Sequence, residues 1–225
     1  EVDVTATAAP GFDFNGWTGT VGSDCEGGVG SPLTITVNAD ITCEADFGVI
    51  QYTLTVTEPT EGGTIKGTIA GSPTALNCGT DGDVCQLTVD TGTVVALEAT
   101  PDTGYTFGGW SGDCTATAVP TVAEVTVDAA GLGCAGAFEV IQYTLTIEQP
   151  TNGDVLGGTS AFEIECGITA GDCSLTAPAN SAITLQTDSN LEFLGWTGDC
   201  TTLGSGTPLS FNLTGDLTCG VNFGT

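Results

Sequence analysis

The chain contains no Arg, no His and no Met, and its one basic side chain is Lys66. These gaps exclude whole classes of function. Nucleic-acid binding needs cationic groups to displace phosphate counterions, and one lysine against 28 acidic residues leaves a net charge of −27. The same charge is repelled by an anionic membrane surface. Without His there is no imidazole acid–base catalysis and no Ser-His or Cys-His nucleophile pair. Lys66 lies in "GTIKGTIAG", which is not a phosphate-binding loop. No run reaches the roughly 18 apolar residues that span a bilayer, so no membrane insertion is expected. Trypsin-like proteases would find a single bond to cut. Dense negative charge keeps the surface soluble. Both properties suit life outside a cell, and the acid excess also suits a halophile. Glu1 in place of an initiator Met, with no apolar leader behind it, reads as a mature or trimmed chain.

Ten cysteines stand against these absences. A Cys-x2-Cys or Cys/His metal cluster is not written in the sequence. The spacings instead recur. Cys78 and Cys85 are 7 apart, as are Cys166 and Cys173; Cys114 and Cys134 are 20 apart, Cys200 and Cys219 are 19, and Cys25 and Cys43 are 18. We read five local disulfides formed in an oxidising compartment. No cofactor is expected.

The spacing repeats because the chain repeats. "FGVIQYTLTV" at 47–56 returns as "FEVIQYTLTI" at 138–147. Trp17, Trp110 and Trp196 follow one another at 93 and 86 residues, and Phe47, Phe138 and Phe223 at 91 and 85. Three modules result. Residues 1–51 carry only the second half of the pattern, while 52–142 and 143–225 carry all of it. Local structure reads as β throughout. "YTLTVT", "CQLTVD", "TVVALEAT", "AEVTVD", "YTLTIE", "AITLQT", "LSFNLT" and "LTITVN" alternate apolar and polar residues with period two, punctuated by Gly, Asn, Asp and Pro. No segment holds a helical stripe over three turns. The predicted fold is all-β: tandem small modules, either sandwiches or β-grasp-like sheets, each stapled by its own disulfides.

The most repeated motif is "FGGWSGDC" at 107–114, "FLGWTGDC" at 193–200 and the shorter "FNGWTG" at 14–19. A binding site and a structural signature are the two candidate explanations, and the residues favour structure. Tyr105 and Phe107, Phe12 and Phe14, and Leu191 and Phe193 place apolar bulk on one strand face. The following Gly allows a bend or a close backbone approach. Trp17, Trp110 and Trp196 supply large buried surfaces whose indole N–H groups each need one acceptor. Asp113 or Asp199 accepts backbone N–H bonds in the turn. The Cys then ties that turn to the last strand. An exposed Trp stacking on a sugar ring is the alternative. On the chain-entropy estimate a short staple stabilises by roughly 2.5 kcal/mol and a long one by roughly 3.3 kcal/mol, comparable with the net stability of a small domain.

With its closing strand and Phe, the run "TVVALEATPDTGYTFGGWSGDC" resembles the divergent internalin B-repeat domains of bacterial surface and secreted proteins. The resemblance covers the second and third modules and the half-module before them. It departs in a long insert before Cys78, in extra residues between Trp17 and Cys25, and in acidity. It implies small β-rich modules strung along extracellular proteins: adhesin stalks, spacers, fibre subunits, and no catalysis.

The expected function is therefore structural, at the cell surface or beyond it. The chain reads as a stalk segment or as the subunit of a filament. Its partners are copies of itself joined head to tail, or neighbouring repeats of a longer chain. The joint "FGVIQYTLTV" has no Gly/Ser linker and reads as stiff. The half-module lacks its first strands, so its sheet edges are open to completion by a neighbour's strand. The alternative is an adhesion module for carbohydrate or Ca²⁺. Asp81 and Asp83, Asp24 and Glu26, and Glu44 and Asp46 are the acidic pairs on offer, although no EF-hand or Gly-Asp repeat frames them. Paired carboxylates that cleave glycosides would have to share one cleft, and nothing brings two together. Asn212, in "NLT", is the one N-glycosylation acceptor pattern.

Overall fold

Alternating Thr, Val, Leu and Ile dictate the architecture. Such residues form pleated strands with one apolar and one polar face, and the apolar faces must find each other. The computed structural model describes residues 1–168 and 171–224. Among them there is no α-helix, and one 3₁₀ turn spans Asp199–Thr202. Two compact units divide the chain: Glu1–Thr100 with Gly109–Ala137, and Pro101–Gly108 with Phe138–Thr225. Strands Tyr105–Gly112 and Gly133–Val140 pass from one unit into the other.

The second unit is a two-layer sandwich. One sheet has the order Ser174–Pro178, Gln142–Ile147, Leu217–Phe223, Phe193–Gly198. Gln142–Ile147 runs antiparallel to Ser174–Pro178 and parallel to Leu217–Phe223. The other sheet has the order Gly171–Asp172, Glu163–Gly167, Asp154–Gly158, Ala182–Asp188, Leu209–Asn212. Leu145, Ile147, Leu175 and Trp196 from the first sheet meet Val155, Ile164, Ile183, Leu185 and Leu209 from the second in one buried cluster. Each aliphatic side chain there is at most 4% exposed, and burying one stabilises by roughly 2 kcal/mol. This is sheet packed on sheet, and of the two predicted architectures it is the sandwich.

The first unit repeats the plan. Gln51–Val56 lies antiparallel to Gln86–Asp90 and meets Gly133–Val140 in parallel at Thr55 and Val56. A six-stranded sheet runs Thr115–Ala116, Val122–Val127, Thr93–Pro101, Gly63–Ile69, Ser72–Gly79, Gly82–Val84. Leu54 and Val56 from Gln51–Val56, and Ile65, Leu76, Val95, Leu97, Val125 and Val127 from the six-stranded sheet, are among the buried side chains of this unit. The same unit contains the half-module as two separate pairs. Val2–Val4 pairs with Leu33–Ile35, and Phe12–Gly19 with Cys43–Val49. Their register copies the complete module: Val2 faces Ile35 as Val95 faces Val125. Only Trp17, Cys25 and Ile35 are buried among its apolar side chains, and Val2 and Val37 stand 51% and 53% exposed. Five disulfides close within the modules, joining Cys25–Cys43, Cys78–Cys85, Cys114–Cys134, Cys166–Cys173 and Cys200–Cys219.

Candidate functional site

The tryptophan hairpin is built the same way three times. Gly16, Gly109 and Gly195 precede the tryptophans at φ 140°, 135° and 141°. At Gly16 and Gly195 the ladder register slips by one residue, which marks a bulge. The extra residue turns each indole inward. Trp17 and Trp196 are 7% and 5% exposed, and Trp110 is half-buried. Trp17 Nε1 donates to Gly30 O (2.7 Å), Trp110 Nε1 to Pro120 O (3.1 Å) and Trp196 Nε1 to Gly206 O (2.9 Å). Phe14 and Phe193 stand edge-on to their tryptophans at 5.5 and 5.7 Å. Strand Phe193–Gly198 begins at Phe193, so Leu191 lies in the turn before it.

The "GDC" that follows is a backbone clasp. Asp113 Oδ2 accepts from Gly133 N and Asp199 Oδ2 from Thr218 N, both at 2.8 Å. The half-module has Thr20 at that place, and its Oγ1 accepts from Thr42 N (2.9 Å). The glycine before the clasp leaves no room for a side chain. A Cβ on Gly19, Gly112 or Gly198 would overlap the carbonyl oxygen of Thr42, Gly133 or Thr218.

The cystines then converge on the first strand of each complete module. Val56 N donates to Cys85 O (2.8 Å) and Thr57 N to Cys134 O (2.7 Å). In the next module Ile147 N donates to Cys173 O and Glu148 N to Cys219 O, both at 2.7 Å. Each first strand is thus gripped on one side by the short-loop cystine and on the other by the long-loop cystine. Its opposite end is held as well. Ile50 alone separates strand Cys43–Val49 from Gln51–Val56. Ile50 N donates to Gly11 O (2.9 Å), and Ile50 O accepts from Thr91 N (2.8 Å). Ile141 repeats the arrangement with Gly104 O and Ala179 N, both at 2.8 Å.

The model of the divergent InlB B-repeat domain matches residues 1–51 and 72–142, more than half of the chain. The chain belongs to that family. Of solved structures, the Bacillus anthracis TIE protein superposes with a TM-score of 0.44 at 10% identity, over 85% of this chain and 38% of that one. The chain thus spans well under half of that protein's length. No curated protein matches it. B-repeats are modules of surface proteins, and five disulfides accord with an oxidising, extracellular setting.

The B-repeat framework also engages three of the six acidic side chains in these pairs. Asp24 Oδ2 accepts from Thr36 N, Glu26 Oε2 from Gly22 N, and Asp46 Oδ2 from Asn15 Nδ2. Asp81 and Asp83 are exposed around the tight turn from Ser72–Gly79 to Gly82–Val84, where Asp81 N donates to Thr64 Oγ1. Among the described residues no three acidic or sulfur groups converge to hold a metal ion. An open trough of about 500 Å³ lies on the third module, lined by Gly157, Gly158, Glu163, Glu165, Thr184 and Gln186, with no aromatic ring in its wall. Asn212 ends an exposed strand position opposite Ala182, and its neighbour Leu213 is fully buried. Lys66 is exposed on strand Gly63–Ile69, opposite Asn77. Sequence reasoning missed the repeated Ile50 and Ile141 bonds, because a lone isoleucine between strands carries no local signal for them.

Proposed function

We propose that the chain is a structural element of an extracellular fibre or adhesin stalk, built to bear tension along its length. The repeated junction carries this reading. A single residue joins strand to strand at Ile50 and again at Ile141, and both of its backbone groups are bonded. Tension entering a module along its last strand passes directly into the first strand of the next, which two cystines grip. Arrays whose repeats contact only their neighbours make extended objects. In our reading the half-module is completed by a β-strand from a neighbour, and this head-to-tail contact does not close on itself.

Negative-stain electron microscopy of non-reduced material is the test. Uniform filaments with an axial repeat of one subunit are expected. Short monodisperse rods would leave the stalk reading and remove the filament. Particles with independently tumbling modules would overturn both.

A further inference from the structure

The acceptor pattern Asn212-Leu213-Thr214 and the open trough of the third module share one sheet face. Leu213 is fully buried and bonded through both backbone groups: its N–H donates to Ser181 O (2.9 Å), and its carbonyl accepts from Asn180 N (2.8 Å). With Leu213 turned in, Asn212 and Thr214 stand exposed on either side of it. Among the described residues neither the Asn212 carboxamide nor the Thr214 hydroxyl has a hydrogen-bond partner. Asn212 lies directly opposite Ala182, and residues so paired in an antiparallel ladder point to the same face. Ala182, Thr184 and Gln186 continue along that face at every second position, and all three line the trough. Asn212 therefore stands at its end.

The lining suits hydroxyl groups. In the middle row Gly158 lies between Glu163 and Thr184. It puts no side chain there, so the carboxylate and the hydroxyl face each other across two strand spacings, about 9.5 Å. Gly158 is at φ 125°, and a Cβ on it would overlap Phe162 O, so the gap stays open. Glu165 adds acceptors, and Gln186 adds both a donor and an acceptor. The second module supplies the comparison. Its "TVVALE" at 93–98 aligns with "SAITLQ" at 181–186, so Val94, Ala96 and Glu98 hold the places of Ala182, Thr184 and Gln186. Thr126, which begins no acceptor pattern, lies opposite Val94. Acceptor, small neighbour and neutral hydrogen-bonding lining thus occur together in one of the two complete modules.

We propose that Asn212 carries an N-linked glycan whose first sugars, neutral hexoses or N-acetylhexosamines, lie along the trough from Ala182 to Gln186. In the modification Asn212 Nδ2 attacks C1 of a glycan carried on a lipid pyrophosphate. The C1–N bond forms, the C1–O bond to phosphate breaks, the lipid pyrophosphate leaves, and Nδ2 gives up one proton. The Thr214 hydroxyl completes the pattern that the transferase reads. Glu163 and Glu165 accept hydrogen bonds from sugar hydroxyls and repel acidic sugars, in a chain of net charge −27. With no aromatic ring to stack on, the trough would hold a free sugar weakly. Attachment at one end removes that weakness, because it keeps the sugar at a roughly millimolar effective concentration.

Mass spectrometry of the protein from its own source tests the attachment. After reduction, cleavage at acidic residues frees 200–216, which is bounded by Asp199 and Asp216 and has no acid between them. Electron-transfer fragmentation leaves sugars on their residues, and it is expected to find the glycan on Asn212. An unmodified Asn212, or sugar only on the Ser and Thr residues of that peptide, would overturn the proposal. Thr214→Ala keeps Asn212 and should lose the glycan completely; retention would count against the acceptor pattern and overturn the assignment. The seat is read by comparing amide NMR spectra of the glycosylated chain and of the same chain enzymatically trimmed to its first sugar. Shifts are expected at Thr184 and Gln186, with none at their second-module counterparts Ala96 and Glu98. A glycan on Asn212 that leaves Thr184 and Gln186 unshifted would overturn the placement in the trough.

Discussion

A single glycine decides whether the clasp closes. Gly198 sits at φ 64°, and an added methyl would overlap Thr218 O. Gly198→Ala therefore meets both backbone strain and a clash with a carbonyl that the ladder cannot move. A loss of about 2–3 kcal/mol is expected, read as a lower melting temperature of the third module. The neighbouring position separates chemistry from packing. Asp199 accepts one backbone hydrogen bond at an exposed site, and Thr20 makes the same bond from the half-module. Asp199→Ala should cost about 1 kcal/mol, and Asp199→Thr should recover much of that. Equal losses in the two variants would mean that the bond contributes nothing. Trp196 tests the structural role of the motif. Trp196→Phe keeps an aromatic ring near Phe193 and abandons the bond to Gly206 O, and the smaller ring leaves a void. It should cost about 2 kcal/mol and more than Trp110→Phe, because Trp110 is only half-buried.

At the scale of elements, the sequence marks strands well and neighbours poorly. "YTLTVT", "CQLTVD", "TVVALEAT" and "AITLQT" alternate cleanly, and each is a strand in the structure. "LTITVN" alternates as cleanly, and its strand is Leu33–Ile35, paired with Val2–Val4. A strand needs a partner as well as a pattern. Gly63–Ile69 shows the reverse case. Gly67 interrupts its alternation at a register shift between Lys66 and Thr68, so a strand hides behind a weak local signal. The parallel pairing of first and last strands was not legible at all. It joins residues tens of positions apart, and nothing in either segment names the other. The cystine pairs were legible because each closes a local loop of recurring length. Their convergence on Val56 and Thr57 was not, and it has an energetic consequence. Replacing Cys166 and Cys173 by Ser should cost about 2.5 kcal/mol, and replacing Cys200 and Cys219 about 3.3 kcal/mol, on loop entropy alone. Both pairs grip Ile147–Glu148, so removing both should depart from the sum of the single effects by more than about 0.5 kcal/mol in urea unfolding. Strict additivity would mean that the two cystines stabilise the module independently.

At the scale of the whole molecule, the cystines set how much chain can be drawn out under load. In the third module, separations of 7 and 19 residues lie inside covalent loops. Extended chain spans about 3.5 Å per residue, so these loops withhold roughly 90 Å of contour length. A pulled module with intact disulfides cannot release that length, however completely its sheets come apart. The first strand begins just after Ile141 and is bonded to Cys173 and Cys219, so a load applied at Ile141 would meet the covalent loops at once. Single-molecule pulling should therefore show short unfolding steps for the oxidised chain. Reduction should lengthen each complete module's step by roughly 90 Å and lower the force at which it occurs. Lengthening without a drop in force would mean that the sheets alone resist the load and the cystines only limit extension. A drop in force together with lengthening would assign them the mechanical role that their bonds to the first strand suggest.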